Sequence, residues 1–395
     1  MTPARVIGAG LSGLTTAWHL AARGCDVTVC DASEGPGGLI HSRHTDCGLV
    51  ETAANAFVWN DTVAEWFARL ELTPLFACDS SKRRYIFRDG RPRRWPLSLA
   101  QSASLAGRLA ATAVGRGFSA RAGESVAAWG DRVLGAGARA WLLEPAMQGI
   151  YAAPASSLSA EAIFSGRRRS PRRLAAPAGG MGQFVTRLHE ALVNRGVCFE
   201  WGRRVDAIDP AQPTAICTGA AGAASLLAGV APQVATRLAA VQVSPLTTVT
   251  MFFAPHPADV RGFGVLFPKP CGVRALGVLF NADIFDGRGD LRSETWIVGN
   301  RGQGMTDWPE AALLEALAED RSRLTGRRDT PQATFVTRWA DAVPVYDSAI
   351  LDVKRAVAEL PPGIALAGNY LGQIGVAALL DLGKAAADRL AAPRP

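Results

Sequence analysis

The stretch from Arg5 to Asp31 restricts the fold more than any other part of the chain. Arg5-Val6-Ile7 is a short apolar strand that runs into Gly8-Ala9-Gly10-Leu11-Ser12-Gly13, a GxGxxG turn. Residues 14–23 follow with helical periodicity, with Leu14, Ala17, Trp18, Ala21 and Ala22 on one apolar face. Gly24 stands where a C′ glycine ends a helix. Val27-Thr28-Val29-Cys30 is a second strand, closed by Asp31. Such a turn needs glycine three times over: Gly8 for the tight bend, Gly10 for close approach of backbone to a pyrophosphate, Gly13 for close helix–strand packing. The helix start presents free N–H groups and about half a positive charge to phosphates. Asp31 lies about 20 residues on, where an acid accepts hydrogen bonds from a ribose. The fold expected is α/β, opening with a Rossmann-like dinucleotide-binding domain.

The chain of 395 residues is long enough for about two to three domains. At 48% hydrophobic and 19% charged residues it can bury a large core. The first 30 residues already read as strand, turn, helix and strand, so no secretory leader is expected. No run of about 18 apolar residues appears; residues 219–234 come nearest, but Pro232 and Gln233 make them a buried helix and loop. Seven cysteines without a CxxC pair argue against a disulfide scaffold or a zinc site and read as small buried hydrophobes in a reducing cytoplasm. The histidines at 19, 41, 44, 189 and 256 have no ligand spacing, so no metal is expected.

The net charge is +7, and nearly all the positive charge is arginine; lysine occurs only at 82, 269, 354 and 384. Arginine suits bidentate capture of carboxylates or phosphates, although a genomic composition bias produces the same excess. No motif points to nucleic acid. Residues 81–96 read as a hairpin turning at Asp89-Gly90, crowded with basic residues. They form either a solvated ribbon or a surface for a carboxylate-rich substrate or an anionic membrane. Arg167-Arg168-Arg169 with Arg172-Arg173 make a second basic cluster. Residues 97–145 read as Ala/Leu-rich helices, 241–299 as short apolar strands between turns, and 309–325 as a helix.

Beyond Asp31 come Ala32-Ser33-Glu34-Gly35-Pro36-Gly37-Gly38 and Leu39-Ile40-His41-Ser42, then Gly48-Leu49-Val50-Glu51-Thr52-Ala53-Ala54-Asn55-Ala56-Phe57. The second glycine pair again brings backbone close to a ligand. These segments resemble the flavin amine oxidase and protoporphyrinogen oxidase superfamily. Leu39 stands where that superfamily usually has Lys or Arg, with Arg43 near enough to supply the charge, and Ala53 stands where it has glycine. The run EPAMQGIYAAPASSLSAEAIF from Glu144 is similar to a motif of protoporphyrinogen and coproporphyrinogen III oxidases, with Ala153 in place of glycine. Further likenesses are Gly179-Gly180-Met181, Arg204-Val205, Gly262-Phe263-Gly264-Val265-Leu266, Trp296-Ile297-Val298-Gly299, Thr337-Arg338-Trp339, Gly368-Asn369-Tyr370 and Ile374-Gly375-Val376. After Val376 the family's V-P-D-C is replaced by Ala377-Ala378. The likeness spans nearly the whole chain.

The resemblance implies an amine-oxidase-like fold: an FAD-binding domain from residues 1–75, 178–235 and 335–395, a helical lobe at 76–177 facing substrate or membrane, and a β-sheet substrate domain at 236–334. It implies FAD held by Gly8, Ala9, Gly10, Leu11, Ser12, Gly13, Asp31 and Ala32, by Gly37, Gly38 and Leu39, and by Ala53, Ala54, Asn55 and Ala56. Val205 would pair with the adenine, Trp339 would lie against the flavin, and Gly368, Asn369, Ile374, Gly375 and Val376 would form the turn where the last helix points its dipole at the ring. The substrate implied is a porphyrinogen, protoporphyrinogen IX or coproporphyrinogen III, flanked by Leu266 on one side and Ile297 on the other, with Asn55 at a propionate or pyrrole. Hydride passes to flavin N5, molecular oxygen is the acceptor, and no side chain is assigned as catalytic. The location implied is the cytoplasm, with peripheral contact on the inner membrane face and a homodimer both left open. Two other readings stand beside this one. An amine or carotenoid-type oxidoreductase would use Trp339 and Tyr370 as an aromatic pair, and a non-catalytic flavin- or porphyrin-binding homologue would tolerate Leu39, Ala53 and Ala153.

Overall fold

The structure is a computed structural model that describes residues 2–115, 117–165, 173–299, 305–372 and 374–391. Five short strands form a wholly parallel sheet in the order Cys198–Glu200, Asp26–Cys30, Pro3–Ile7, Thr214–Ile216 and Ile364–Leu366. A parallel sheet is covered on both faces, so its strands read as nearly continuous apolar runs; Val6, Val29, Ala215 and Ala365 are all fully buried. The strands come from three distant stretches of chain, yet all leave the sheet at one edge. Gly8 N–H donates to Cys30 O, Cys217 N–H to Ile7 O and Ala367 N–H to Ile216 O along that edge. In open α/β sheets, ligands bind in the crevice outside this carboxyl edge.

A second sheet has seven strands, in the order Ala333–Pro344, Val243–Phe253, Arg292–Gly299, Gly277–Phe280, Gly264–Leu266, Arg84–Arg88 and Arg91–Arg93. Strand residues alternate between faces. One set, including Val249, Met251, Trp296 and Val298, packs on helix Glu310–Thr325 through Leu313 and Leu317. The alternate set, Thr248, Thr250, Thr295 and Ile297, lies on the other face.

Two strands of this sheet fall in segments that the sequence groups elsewhere. The hairpin at 84–93 turns at Asp89-Gly90, both at positive φ (53° and 73°), the geometry an Asp-Gly hairpin turn requires. Its first strand, however, runs parallel to Gly264–Leu266, which places it in the seven-stranded sheet and not among the helices of 76–177. Strand Ala333–Pro344 pairs with Val243–Phe253, so the second sheet extends to residue 344 and past the expected boundary at 335. Turn chemistry is local, whereas the strand that accepts a hairpin's edge is a non-local choice. The helical lobe contains Leu99–Val114, Val126–Val133 and Glu144–Tyr151. Arg167, Arg168, Arg169 and Arg172 lie outside the described residues; Arg173 sits over the Phe76 ring.

Candidate functional site

The three glycines of the first turn differ in what surrounds them. Gly8 has φ 104°, and a Cβ there would lie 2.7 Å from the Cys217 carbonyl oxygen. A Cβ at Gly13 would collide with the carbonyl oxygen of Gly8. At Gly10 nothing lies within 4 Å. That open space stands before helix Leu11–Ala21, whose N-cap has no side-chain hydrogen bond. The N–H groups of Leu11, Ser12 and Gly13 head a helix at a cradle that a side chain at Gly10 would fill, the setting that binds a phosphate. Asp31 Oδ2 accepts from Ala9 N–H at 2.6 Å, bracing the turn from the end of the second strand, and Ala32 beside it is exposed.

The second glycine pair lies against the first turn. Gly37 N–H donates to Ala9 O at 2.9 Å, and a Cβ at Gly38 would be 3.3 Å from Gly10 Cα. The side chain beside this pair is His41, its Nε2 2.9 Å from Gly38 O. Arg43 is exposed on strand Ser42–Thr45, without a partner among the described residues. Leu39 contributes its carbonyl, which accepts from the Thr52 hydroxyl at 3.0 Å.

Helix Val376–Ala391 lies beside Leu11–Ala21. Gly383 has Thr15 and Ser12 where a Cβ would be, and Arg23 pairs with Asp388. Positions advance together along the two helices, so they run parallel and both N-termini point to the carboxyl edge of the sheet. Residues 8–13 and 374–376 therefore converge there, and Gly375, like Gly10, has no atom within 4 Å of a Cβ position. Gly368 and Asn369 follow the edge strand Ile364–Leu366, and Asn369 O accepts from the Tyr346 hydroxyl at 2.6 Å. Arg203 N–H donates to Asp31 O, bringing 203–205 to the same edge. Val205 and Ile374 both pack against the core cluster that contains Ile7, Ile216 and Leu366.

Residues 51–56 join the two sheets. Glu51 is 6% exposed and its carboxylate accepts from Ser42 Oγ (2.6 Å), Met181 N–H (2.9 Å) and Arg288 (3.2 Å). Burial pushes the Glu51 carboxyl up while these three donors pull it back down, and burial pushes the Arg288 guanidinium down. Gly180 and Gly182 admit this contact: a Cβ at either would strike Ser42, and one at Gly180 would also strike Glu51. The next carbonyl, Thr52 O, accepts from Trp339 Nε1 at 3.0 Å and Thr248 Oγ1 at 3.2 Å, both from the seven-stranded sheet. Ala53 is half-buried, Ala54 and Ala56 pack on the nucleotide-side core, and Asn55 lines a small cavity with Glu51, Asn281 and Arg288. Glu51, Arg288 and Thr248 were not among the expected site residues. The Gly179-Gly180 pair was visible, but its partner on a different strand was not.

The register across the second sheet aligns Leu266 with Gly277, Gly277 with Ile297, Ile297 with Thr248 and Thr248 with Thr337. Directly opposed residues share a face. Leu266 and Ile297 thus stand on one floor, two strands apart, with Gly277 between them. Their face is the one tied to the 52–56 turn through Thr248. A separate pocket of about 210 Å³ between Asp259, Asp283 and Arg292 includes none of these residues.

A parallel sheet with two helix N-termini at its carboxyl edge, tied to a mixed sheet through residues 51–56, is the arrangement of a dinucleotide-binding protein. The chain belongs to the flavin containing amine oxidoreductase family, whose model matches residues 11–391, and its cofactor is FAD. It is similar to a coproporphyrinogen III oxidase of Propionibacterium freudenreichii (23% identical, covering 98% of this chain and 90% of that protein). A coproporphyrinogen III oxidase of Mycobacterium tuberculosis is 26% identical, over 96% of this chain and 95% of that one. A solved chain from Exiguobacterium sp. 255-15, provisionally named a protoporphyrinogen oxidase, superposes with TM-score 0.82 at 18% identity and 98% coverage of both. Putrescine oxidase superposes with TM-score 0.79 at 14% identity, over 99% of this chain and 100% of that one. Among the described residues no helix is long and apolar enough to cross a membrane.

Proposed function

We propose that this flavoprotein oxidises a porphyrinogen, protoporphyrinogen IX or coproporphyrinogen III, to the corresponding porphyrin, with molecular oxygen as terminal acceptor. The observation that carries the reading is the placement of Leu266, Gly277 and Ile297 on the one sheet face that Thr248 ties to the turn at 52–56. Two apolar posts and a bare floor suit an aromatic ring presented by its edge. Bound FAD supplies the hydride-accepting ring.

In this reading the chain itself supplies holding and orientation. The N–H groups at 11–13 and the open space at Gly10 hold the pyrophosphate, and the start of helix Val376–Ala391 faces the ring's polar edge. Trp339 and Thr248 fix the 52–56 turn and, through it, the distance between the two sheets. Asn55 meets the substrate's polar rim. Orientation of this kind can supply much of a rate enhancement when the reacting atoms are held in line.

An amine-oxidase reading requires two aromatics standing before the flavin. Trp339 is half-buried with its N–H on Thr52 O, and Tyr370 is fully buried in the core with Ile7 and Ile216. That supports the porphyrinogen reading over the amine one. The test follows porphyrin fluorescence with both porphyrinogens, against autoxidation without protein. Fluorescence no faster than that background, with flavin bleached by amines, overturns the proposal. We also propose contact of the helical lobe with an anionic membrane face. Trp95 (55% exposed) and Leu99 (92%) follow exposed Arg91 and Arg94 in the chain, and Val114 (89%) is exposed at the other end of helix Leu99–Val114. Failure to cosediment with anionic vesicles at low salt would remove that part.

A further inference from the structure

Two glycines from different parts of the fold converge on one side chain. Gly149 lies inside helix Glu144–Tyr151, and Gly277 opens strand Gly277–Phe280. Neither has positive φ, so the backbone does not call for glycine at either place, and glycine within a helix or strand weakens it. What both make room for is Leu266. A Cβ at Gly149 would lie 2.7 Å from Leu266 Cδ2. One at Gly277 would lie 3.2 Å from the same carbon and 3.0 Å from Val265 O. Leu266 and Ile297 remain half-exposed, whereas Val265, Val278 and Val298 on the reverse face are buried.

We propose that Gly149 and Gly277 set the width of a slot bounded by Leu266 on one side and Ile297 on the other. This rests on the porphyrinogen reading and specifies which part of the substrate the site measures: one flat pyrrole ring, inserted by its edge over Gly277. Two strand spacings put the Cα atoms of Leu266 and Ile297 about 10 Å apart. A flat ring needs about 3.5–4 Å to carbon on each face, about 7–8 Å in all. Posts one strand apart would be too close, and a side chain on the middle strand would fill the gap. Leu266 Cδ2 already lies against both glycines, so a Cβ on Gly149 would push Leu266 farther across the floor at Gly277.

The test uses flavin-loaded protein. Planar coproporphyrin III and protoporphyrin IX, titrated by fluorescence, read slot occupancy without turnover, and porphyrinogen oxidation gives KM. Gly277→Val is expected to weaken porphyrin binding and raise KM about tenfold, with flavin content and reduction by dithionite unchanged. Gly149→Ala is expected to raise KM about threefold in the natural background and to have no effect in a Leu266→Ala background, because the displaced side chain is then gone. If the unmodified protein neither binds porphyrin nor oxidises porphyrinogen, the functional reading falls and the slot falls with it. If the unmodified protein turns over porphyrinogen and Gly277→Val keeps its KM, the slot is wrong and the function stands. Should Gly277→Val not retain flavin, Gly149→Ala carries the test, since alanine favours a helix; equal effects in both backgrounds then overturn the proposal.

Discussion

The carboxyl edge of the parallel sheet and the open face of the seven-stranded sheet present different chemistry to a ligand. At the edge the groups on offer are backbone N–H groups and open space, around Gly10 and Gly375. On the face they are side chains, Leu266, Ile297, Thr248 and Trp339, from four separate strands spread between residues 243 and 344. Phosphate recognition through backbone demands glycine at set intervals within one turn. Recognition of an apolar ring through side chains demands only that distant strands find the right register. The first site is intolerant of substitution, and the second should be tunable without loss of the cofactor.

Gly13 tests the intolerant side. Gly13→Val places atoms on the Gly8 carbonyl with only backbone to give way. The expected cost is about 4–5 kcal/mol or more, at the exceptional end for single substitutions, together with loss of bound flavin. The ratio of flavin to protein absorbance and the thermal midpoint measure both. A variant that folds and keeps flavin would remove the distinction between the two sites.

Arg288 tests the join between them. It reaches from the substrate side to buried Glu51, which also holds Ser42 and the start of helix Met181–Val193. Arg288→Met strands a carboxylate that is 6% exposed, and breaking a buried pair from one side costs about 3 kcal/mol or more. Adding Glu51→Gln should recover part of that loss. Urea midpoints of the two single variants and the double variant measure it; full additivity would mean that the pair does not act as a unit.

These differences explain what could be read in advance. The turn at 8–13, Asp31, the hairpin turn at Asp89-Gly90 and the last helix were legible because each is encoded within a few neighbouring residues. Leu266 and Ile297 could be named as flanking the substrate, but not their place on one sheet face. That depends on Gly277 lying between them in the sheet, and no periodicity reveals pairing. Glu51 looked like part of a turn under the flavin; its ties to Ser42, Met181 and Arg288 bridge gaps of 9, 130 and 237 positions. The hairpin at 84–93 was recognisable as local structure, but its pairing with Gly264–Leu266 was not, and the pairing of Ala333–Pro344 with Val243–Phe253 is non-local in the same way.

Trp339 tests the tunable side. Trp339→Phe keeps an aromatic ring and removes the donor to Thr52 O, while Thr248 still donates there. The expected cost is about 1 kcal/mol, the net worth of one hydrogen bond. Turnover should fall several-fold while flavin content stays unchanged, because the 52–56 turn loosens and the nucleotide edge does not. Steady-state kinetics beside flavin absorbance decide it; loss of flavin in step with activity would place Trp339 in cofactor retention.

The smallest expected effect lies outside both sites, and it checks that acid sensitivity is not misassigned to either of them. His19 packs edge-on against Trp66 at 5.7 Å in the first helix. Burial, helped by Arg23 and Arg69 nearby, lowers its pKa from 6.5 to about 4. Between those values the unfolded chain holds a proton on His19 that the folded chain does not. Stability therefore rises with pH across this window and is lost as pH falls from 6.5 toward 4. The ring is only partly buried, so solvent screening keeps the effect modest. His19→Phe keeps the ring against Trp66 and removes the proton. Its thermal midpoint should fall less than that of the unmodified protein between pH 6.5 and 4, with flavin content above pH 6.5 the same in both. Parallel curves for the two proteins would assign the acid response to other groups, and a variant that lost flavin at neutral pH would show that this outer helix face is not separate from the nucleotide edge.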